Sequence, residues 1–457
     1  MTWIAVNPTN GLEIGRYPEL PLEELNDRIE AADQAQRRWK HTDLAHRAGC
    51  LQRAATLLES RSTEFGAVIT REMGKPLREA VAEVEKCALL CRFYADHAER
   101  QLEPEPVLIP GSSARTYVSF EPLGVVLAVM PWNYPFWQAF RFLAPALMAG
   151  NGGLLKHAPN VPGCALAIEA VFHEAGVPVD LLQSVLVDHE AVRQMIHHPV
   201  VQAVSLTGSG RAGRVVAAEA GAALKKTLLE LGGSDPFIVL DDADLDLAVQ
   251  CGTTSRLMNA GQSCIAAKRF FLTPGIADAF EARLVESLAE ARWGDPMDPA
   301  TRIGPLARRD LRDALHAQVQ GSVAQGATCL LGGEIPDAAG WFYPATVLTG
   351  VRPGMPAFEE ELFGPVAALI RVRDEAEAIQ LANRSRYGLG ASVFTRDRGR
   401  GERLAQRELE AGLCFVNAVV RSDPRLPFGG VKESGYGREL AQFGIREFVN
   451  VKTVWVE

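Results

Sequence analysis

The stretch NAGQSCIAAKR, Asn259 to Arg269, sets one cysteine among small and polar residues with a Lys-Arg pair behind it. A cysteine that does chemistry needs a thiolate, a base that acts on it or on water, and donors for the oxyanion it creates. Cys264 has such a setting. In LELGGSDP, Glu230 closes a strand-like run against two glycines. A carboxyl group partly removed from water there has a raised pKa and becomes a usable base. Upstream, TGSGRAG places Gly208, Gly210 and Gly213 in G-x-G-x-x-G spacing, after a strand-like run and at the start of a helix. In that context glycines let backbone approach a phosphate at a helix N-terminus. The same fingerprint would make Glu230 a ribose ligand, but the residues that follow it favour the base. Each feature has a plain alternative: a Gly-rich turn, a core thiol, a solvated carboxylate. Only together do they describe a site.

The elements that must position these residues follow from pattern. LEELNDRIEAADQAQRRWK, the run from His46 to Gly74 and LREAVAEVEKCALLCRFYADHAER carry apolar residues at three-to-four spacing and read as helices. Gly74 and Pro76 break the second run. EPEPVLIPGSSA reads as a linker, and RTYVSFEP and GVVLAVMP as strands. From there strand, loop and helix repeat, which implies a parallel sheet with helices on its faces. After Asp246 a second series begins. Its helix through Asn259 leads into the cysteine stretch, and Phe280, Leu284 and Leu288 mark another helix. The C-terminal EFVNVKTVWVE reads as a strand.

The bulk properties narrow the function. A chain of 457 residues exceeds one small core and suggests several packed parts. A net charge of -9 with both signs mixed argues against nucleic acid or an anionic membrane as the main partner. The first residues lack the pattern of a signal peptide, and no apolar run is long enough for a membrane helix. The eight cysteines are scattered and read as reduced thiols of a cytoplasmic protein. Cys87 and Cys91 have no matching ligand pair nearby, so no metal is expected.

Seven motifs now align in one order: PWNYP (Pro131 to Pro135), LLKHAP (Leu154 to Pro159), LTGSGRAG, LELGGSDPFIV, NAGQSC, EELFGPV (Glu360 to Val366) and PFGGVKESGYGRE (Pro427 to Glu439). Over nearly its whole length the sequence resembles the NAD(P)-dependent aldehyde dehydrogenase superfamily. The resemblance implies an α/β fold in three parts. These are a Rossmann-type cofactor domain (1–113 and 131–232), an α/β catalytic domain (233–440) and a small β oligomerisation arm (114–130 and 441–457). It implies Cys264 as nucleophile, Asn133 as oxyanion donor and Glu230 as the base of thioester hydrolysis. Trp132, Lys156, Pro159, Gly208, Ser209, Gly213, Leu231, Glu361 and Phe363 match cofactor-site positions, and the ribose role passes to Lys156. Strongly NAD-selective relatives carry Glu where Pro159 stands, so either NADP or NAD is expected. Arg141 and Ser422 resemble the substrate-binding pair of the succinate-semialdehyde dehydrogenases, in particular the bacterial short forms. Many of that group carry Arg where this chain has Met258, with Arg256 just before it. The implied partners are a small aldehyde and further copies of the chain, as a homodimer or homotetramer. A dehydrogenase for another short aldehyde, such as glutarate semialdehyde, and a non-catalytic nucleotide-binding relative are the alternatives.

Overall fold

The computed structural model describes residues 2–457. Its centre is the strand Val125–Met130, buried along nearly all of its length. Parallel strands flank it on both sides: Gly152–His157 and then Leu182–Ser184 on one, Val201–Thr207 and then Lys226–Glu230 on the other. The antiparallel strand Gly435–Tyr436 closes the edge beside Glu230. The chain thus winds outward one way from the centre, then returns and winds the other way. In such sheets ligands bind at the carboxyl ends of the strands where the direction switches. Here that crevice lies beyond Met130 and Thr207, beside Asn133, Gly208 and Ser209.

A second, seven-stranded sheet is built around Asp235–Val239, Ala267–Leu272 and Val366–Arg371, with Gly390–Phe394 and Leu413–Val416 beyond the first of these. Its strands are parallel except the edge strand Thr328–Leu331. The two sheets follow directly on one another through Leu231 to Ser234. The helix Ala277–Ala289 buries Phe280, Leu284 and Leu288, as its spacing requires.

The third sheet pairs Val449–Val456 with Arg115–Pro122 over eight residues, and adds Glu105–Pro106. This departs from the sequence reading at both ends of the proposed arm. Residues 125–130 leave it for the centre of the six-stranded sheet, because a strand apolar on both faces needs helices on both sides. Ala441–Glu447 forms a short helix packed on the long helix Leu77–Leu102. The opening segment, read as helical, begins instead with a hairpin of Thr2–Val6 and Glu13–Pro18. The long second helical run breaks at Arg61 into Leu44–Ser60 and Ser62–Met73.

One buried side chain ties the protruding sheet to the main body. Asn151 accepts from the Gly124 N–H at 3.0 Å and donates to the Phe448 carbonyl at 2.9 Å, with no exposed surface. Asn151→Ala leaves both groups buried without a partner, at a cost of about 2 kcal/mol. The melting temperature of the variant should fall by about 5 °C in a thermal scan. An unchanged transition would mean that water or local movement replaces both bonds.

Candidate active site

The stretch that leads to Cys264 is held in an unusual backbone conformation. After the helix Leu245–Leu257 the chain makes a tight turn over Met258–Gly261, in which Asn259 and Ala260 have φ of 53° and 52°. Left-handed φ is disfavoured for side chains with a Cβ, and persists where surroundings over-determine it. Those surroundings are buried and polar. Asn259 donates from Nδ2 to the Asn133 carbonyl at 2.8 Å and the Gln262 carbonyl at 3.0 Å. Its own N–H donates to Glu79 at 2.7 Å. Arg256, fully buried, donates to the carbonyls of Gly261 and Ala267, both at 2.8 Å. Lys268, also fully buried, donates to the carbonyls of Ser263, Cys264 and Ala266 within 3.1 Å. The Lys-Arg pair behind the cysteine therefore divides its work. Lys268 ties down the loop, while Arg269 donates to the carbonyls of Ser234, Leu381 and Ala382 and binds its strand to the end of the helix Glu375–Asn383.

Asn133 and Cys264 come together through this loop. Asn133 Nδ2 donates to the Gln262 carbonyl at 3.1 Å, which spends one of its two hydrogens and fixes the direction of the other. Cys264 is half-buried on the wall of a cavity of about 250 Å³, also lined by Lys86, Tyr134, Arg141, Ser422 and Phe428. Burial, then the negative charge of Glu230, push the Cys264 thiol up to about 12, while Arg141 and Lys268 pull it down. Neutralising or moving the Glu230 charge, or adding positive charge, favours the thiolate.

Glu230 ends the strand Lys226–Glu230, is fully buried, and neither carboxylate oxygen has a hydrogen-bond partner among the described residues. Burial first, and the Glu439 carboxylate second, raise its pKa to about 8. Arg141 lies at the same junction. Its Nη2 stands 2.6 Å from Glu439 Oε2, and its guanidinium lies 4.5 Å from the Phe428 ring centre. Arg141 therefore lines the cavity with its charge already met by a carboxylate of the chain. The helix that carries it, Pro135–Met148, is buried on every face. Ser422 stands on the same cavity and accepts from Lys86 Nζ at 2.7 Å.

The residues at the switch crevice suit a dinucleotide. Lys156, next to last in its strand, is 5 % exposed, makes no ion pair among the described residues, and its ammonium lies 5.4 Å from the centre of the Trp3 ring. Burial lowers its pKa to about 8. Ser209 caps the helix Gly210–Ala222, leaving the helix N-terminus to face the crevice. Gly213 sits where a Cβ would meet the Leu231 side chain, so this helix packs closely on the strand end. The hydroxyl of buried Thr207 is unpaired. Leu231 donates its N–H to Ser434. Trp132 and Phe363 meet edge to face at 5.7 Å, and Glu361 accepts from the Gly233 N–H at 2.9 Å. Pro159 is exposed at the rim. His157 is closed off: Nε2 donates to the Pro135 carbonyl and Nδ1 accepts from the Ala158 N–H, which keeps the ring neutral.

A model of the aldehyde dehydrogenase family matches residues 2–454. The chain belongs to the aldehyde dehydrogenase family. It is 48% identical to the succinate semialdehyde dehydrogenase [NAD(P)+] Sad of Escherichia coli, over 99% of this chain and 97% of that one. It is 47% identical over the full length of both chains to a probable NADP(+) succinate-semialdehyde dehydrogenase of Synechocystis. The crystal structure of succinic semialdehyde dehydrogenase from Streptococcus pyogenes in complex with NADP+ superposes with a TM-score of 0.97 at 37% identity, over 99% of both chains.

Within this family member, sequence reasoning missed the residues that hold the site. Lys268, Arg256 and Asn259 lie inside or beside quoted motifs but act through backbone carbonyls, which no spacing rule reports. Glu439 closes the last motif and had no assigned role. Lys86 sits in a charged helical run and looks like any solvated lysine. Among the described residues no cluster of His, Cys, Asp or Glu could hold a metal, and no helix is long and apolar enough to cross a membrane.

The junction of Glu230, Glu439 and Arg141 makes one electrostatic prediction. A base must lose its proton before it can accept one, so if Glu230 takes the role of base its activity should rise with pH through about 8. Glu439→Gln removes the neighbouring negative charge, and Glu230 then ionises more easily. The acid limb of kcat should move down by about one pH unit. A limb that stays in place would show that Glu439 does not act on the base.

Proposed function

We propose that this protein oxidises succinate semialdehyde to succinate with NADP+ or NAD+. The observation that carries the reading is a buried carboxyl, Glu230, whose charge acts on Cys264, a cysteine on the wall of a small cavity that Lys86, Arg141 and Arg421 also line. Cys264 attacks the aldehyde carbon through its thiolate and forms a thiohemiacetal. The oxyanion forms against the free hydrogen of Asn133 Nδ2 and the Cys264 backbone N–H. The oxidised nicotinamide, when bound, supplies the hydride acceptor and a positive charge close to the thiol. Cys264 is left as a thioester. Glu230 then takes a proton from water, the resulting hydroxide adds to the thioester carbon, and collapse of the tetrahedral adduct expels the Cys264 thiolate and the acid. The other residues bind and orient. Lys156 and Glu361 serve the two ribose ends, Gly208, Ser209 and Gly213 the pyrophosphate, and Trp132, Leu231 and Phe363 the nicotinamide surroundings. Pro159 presents no carboxylate at the rim to repel a 2′-phosphate, which supports NADP as well as NAD.

We place the substrate carboxylate at the far wall, beside Arg141 and Ser422. We also propose assembly as a homodimer or homotetramer through the sheet of Arg115–Pro122 and Val449–Val456. That sheet exposes Val451, Trp455 and Val456, and edge strands of this kind need a partner.

Two measurements test the reading. Wild-type enzyme and a panel of short aldehydes should give kcat/KM for succinate semialdehyde at least about tenfold above butyraldehyde, which lacks the carboxylate. Equal values would return the substrate to some other short aldehyde. Glu230→Gln should release about one equivalent of NAD(P)H per active subunit in a burst and then stall, because acylation needs no water. Cys264→Ala should show no burst. Steady turnover of Glu230→Gln at the wild-type rate would remove Glu230 as the base.

A further inference from the structure

We infer that Lys86, on the long helix Leu77–Leu102, is the residue that receives the carboxylate of the substrate, with the Ser422 hydroxyl as its partner in the cavity. This rests on the reading that the substrate is a short aldehyde acid, and it names the residue that selects it.

The argument is a charge inventory of the cavity wall. Three of the ionisable side chains there are already matched, and Arg421, also on the lining, is exposed and solvated by bulk water. Arg141 faces Glu439. Glu83 pairs with Lys75 and accepts the N–H groups of Phe136 and Trp137 at the start of the next helix. Glu79 accepts the N–H of Asn259. Lys86 differs. It makes no ion pair among the described residues, and its one hydrogen-bond partner is a neutral hydroxyl, Ser422 Oγ at 2.7 Å. Its ammonium lies 4.2 Å from the centre of the Trp137 ring, a contact that holds a cation in place without neutralising it. An ammonium kept half out of water beside a second cation is costly unless an anion completes it. Its pKa is lowered to about 8 by burial and then by Arg141, as expected of a charge still waiting for a partner.

The geometry suits a carboxylate. Lys86 carries three donor hydrogens and uses one on Ser422. Ser422 accepts that bond and keeps its own O–H to donate. A carboxylate set between them gains a charge-assisted bond and a neutral one. Arg141 adds positive potential nearby, but its guanidinium is bound to Glu439 and leaves that pair only at the expense of a buried, unpaired acid.

The test compares succinate semialdehyde with butyraldehyde, with NADP+, in wild type, Lys86→Met and Lys86→Arg. The quantity read is the ratio of kcat/KM for the two aldehydes. In Lys86→Met this ratio should fall by about tenfold or more, mainly through KM for succinate semialdehyde. Lys86→Arg, which keeps the charge, should recover most of it. A wild-type ratio near one would sink the substrate reading itself. A high wild-type ratio that survives in Lys86→Met would leave that reading standing and overturn the role of Lys86.

A second measurement needs no variant. As pH rises through about 8 the Lys86 ammonium loses its charge, and the wild-type ratio should fall with it. The charged and titratable groups around Lys86 are Arg141, Glu83, Asp423 and the Cys87 thiol, with Glu79 and the exposed Arg421 also on the cavity lining. The Cys87 thiol is pushed far up by burial and Asp423 is held down to about 2, so neither titrates in this range. Glu230 and Cys264 act on both aldehydes alike and cancel in the ratio. A ratio that stays flat from neutral to alkaline pH would overturn the proposal.

Discussion

The site depends on one crossing of the chain between two sheets. Leu231 to Ser234 leaves the strand of Glu230 and enters the strand that begins at Asp235. The two glycines in that crossing have no room for a side chain: a Cβ on Gly232 would lie 2.4 Å from Glu361 Oε2, and one on Gly233 would lie 2.6 Å from the Cys264 carbonyl. The Cys264 loop and the Glu361 carboxylate are therefore pressed against the backbone that follows directly on Glu230. Alanine at Gly233 would push on the backbone of the Cys264 loop, and at Gly232 on the end of the Glu361 side chain. Gly261 repeats the constraint on the far side of the loop, where a Cβ would meet the Gly364 carbonyl.

Around this crossing the structure buries charge heavily, and it does so in matched sets. Lys268 and Arg256 spend their hydrogens on backbone carbonyls of the nucleophile loop, and Glu79 spends its acceptor on the loop's N–H. Asp235, with its pKa raised to about 6, accepts the Gly390 N–H and stands near Lys268. Buried ionic groups of this kind add little net stability, but losing one partner is expensive. The effect is a loop with one conformation, held in a left-handed turn that its sequence alone disfavours. Glu230 stands apart: no cation pairs with it among the described residues, and burial followed by the Glu439 carboxylate raises its pKa to about 8, which suits the base proposed for water activation.

Much of this was legible in the sequence, for reasons that can be named. Cys264, Glu230 and Asn133 sit in short motifs whose residue types are dictated by chemistry, and the structure brings all three to the junction of two sheets. The alternation of strand and helix after Gly124 gave the parallel sheets, since buried strands are continuous apolar runs. The failures share a cause. Residues 125–130 were grouped with the protruding sheet because adjacency in sequence says nothing about which sheet a strand joins. The N-terminal hairpin went unseen because its strands are short, and the second, Glu13–Pro18, is largely exposed. Arg141 was placed by its register from Asn133, but no local pattern reveals a partner such as Glu439, far along the chain. Lys86 was invisible for the same reason: its partner Ser422 lies 336 residues away.

The strand Gly435–Tyr436, which seals the edge beside Glu230, has a consequence for the order in which the protein is made. It comes near the close of the chain, as does Glu439, while Cys264 and Glu230 leave the ribosome much earlier. Until that late segment docks, the strand of Glu230 has an open edge, its carboxyl is wet, and no acid stands beside it. Glu230, the proposed base, then lacks the burial and the neighbouring acid that raise its pKa in the complete fold. The setting of the proposed base is therefore completed by the last segment of the chain to be made, well after the stretch of Cys264.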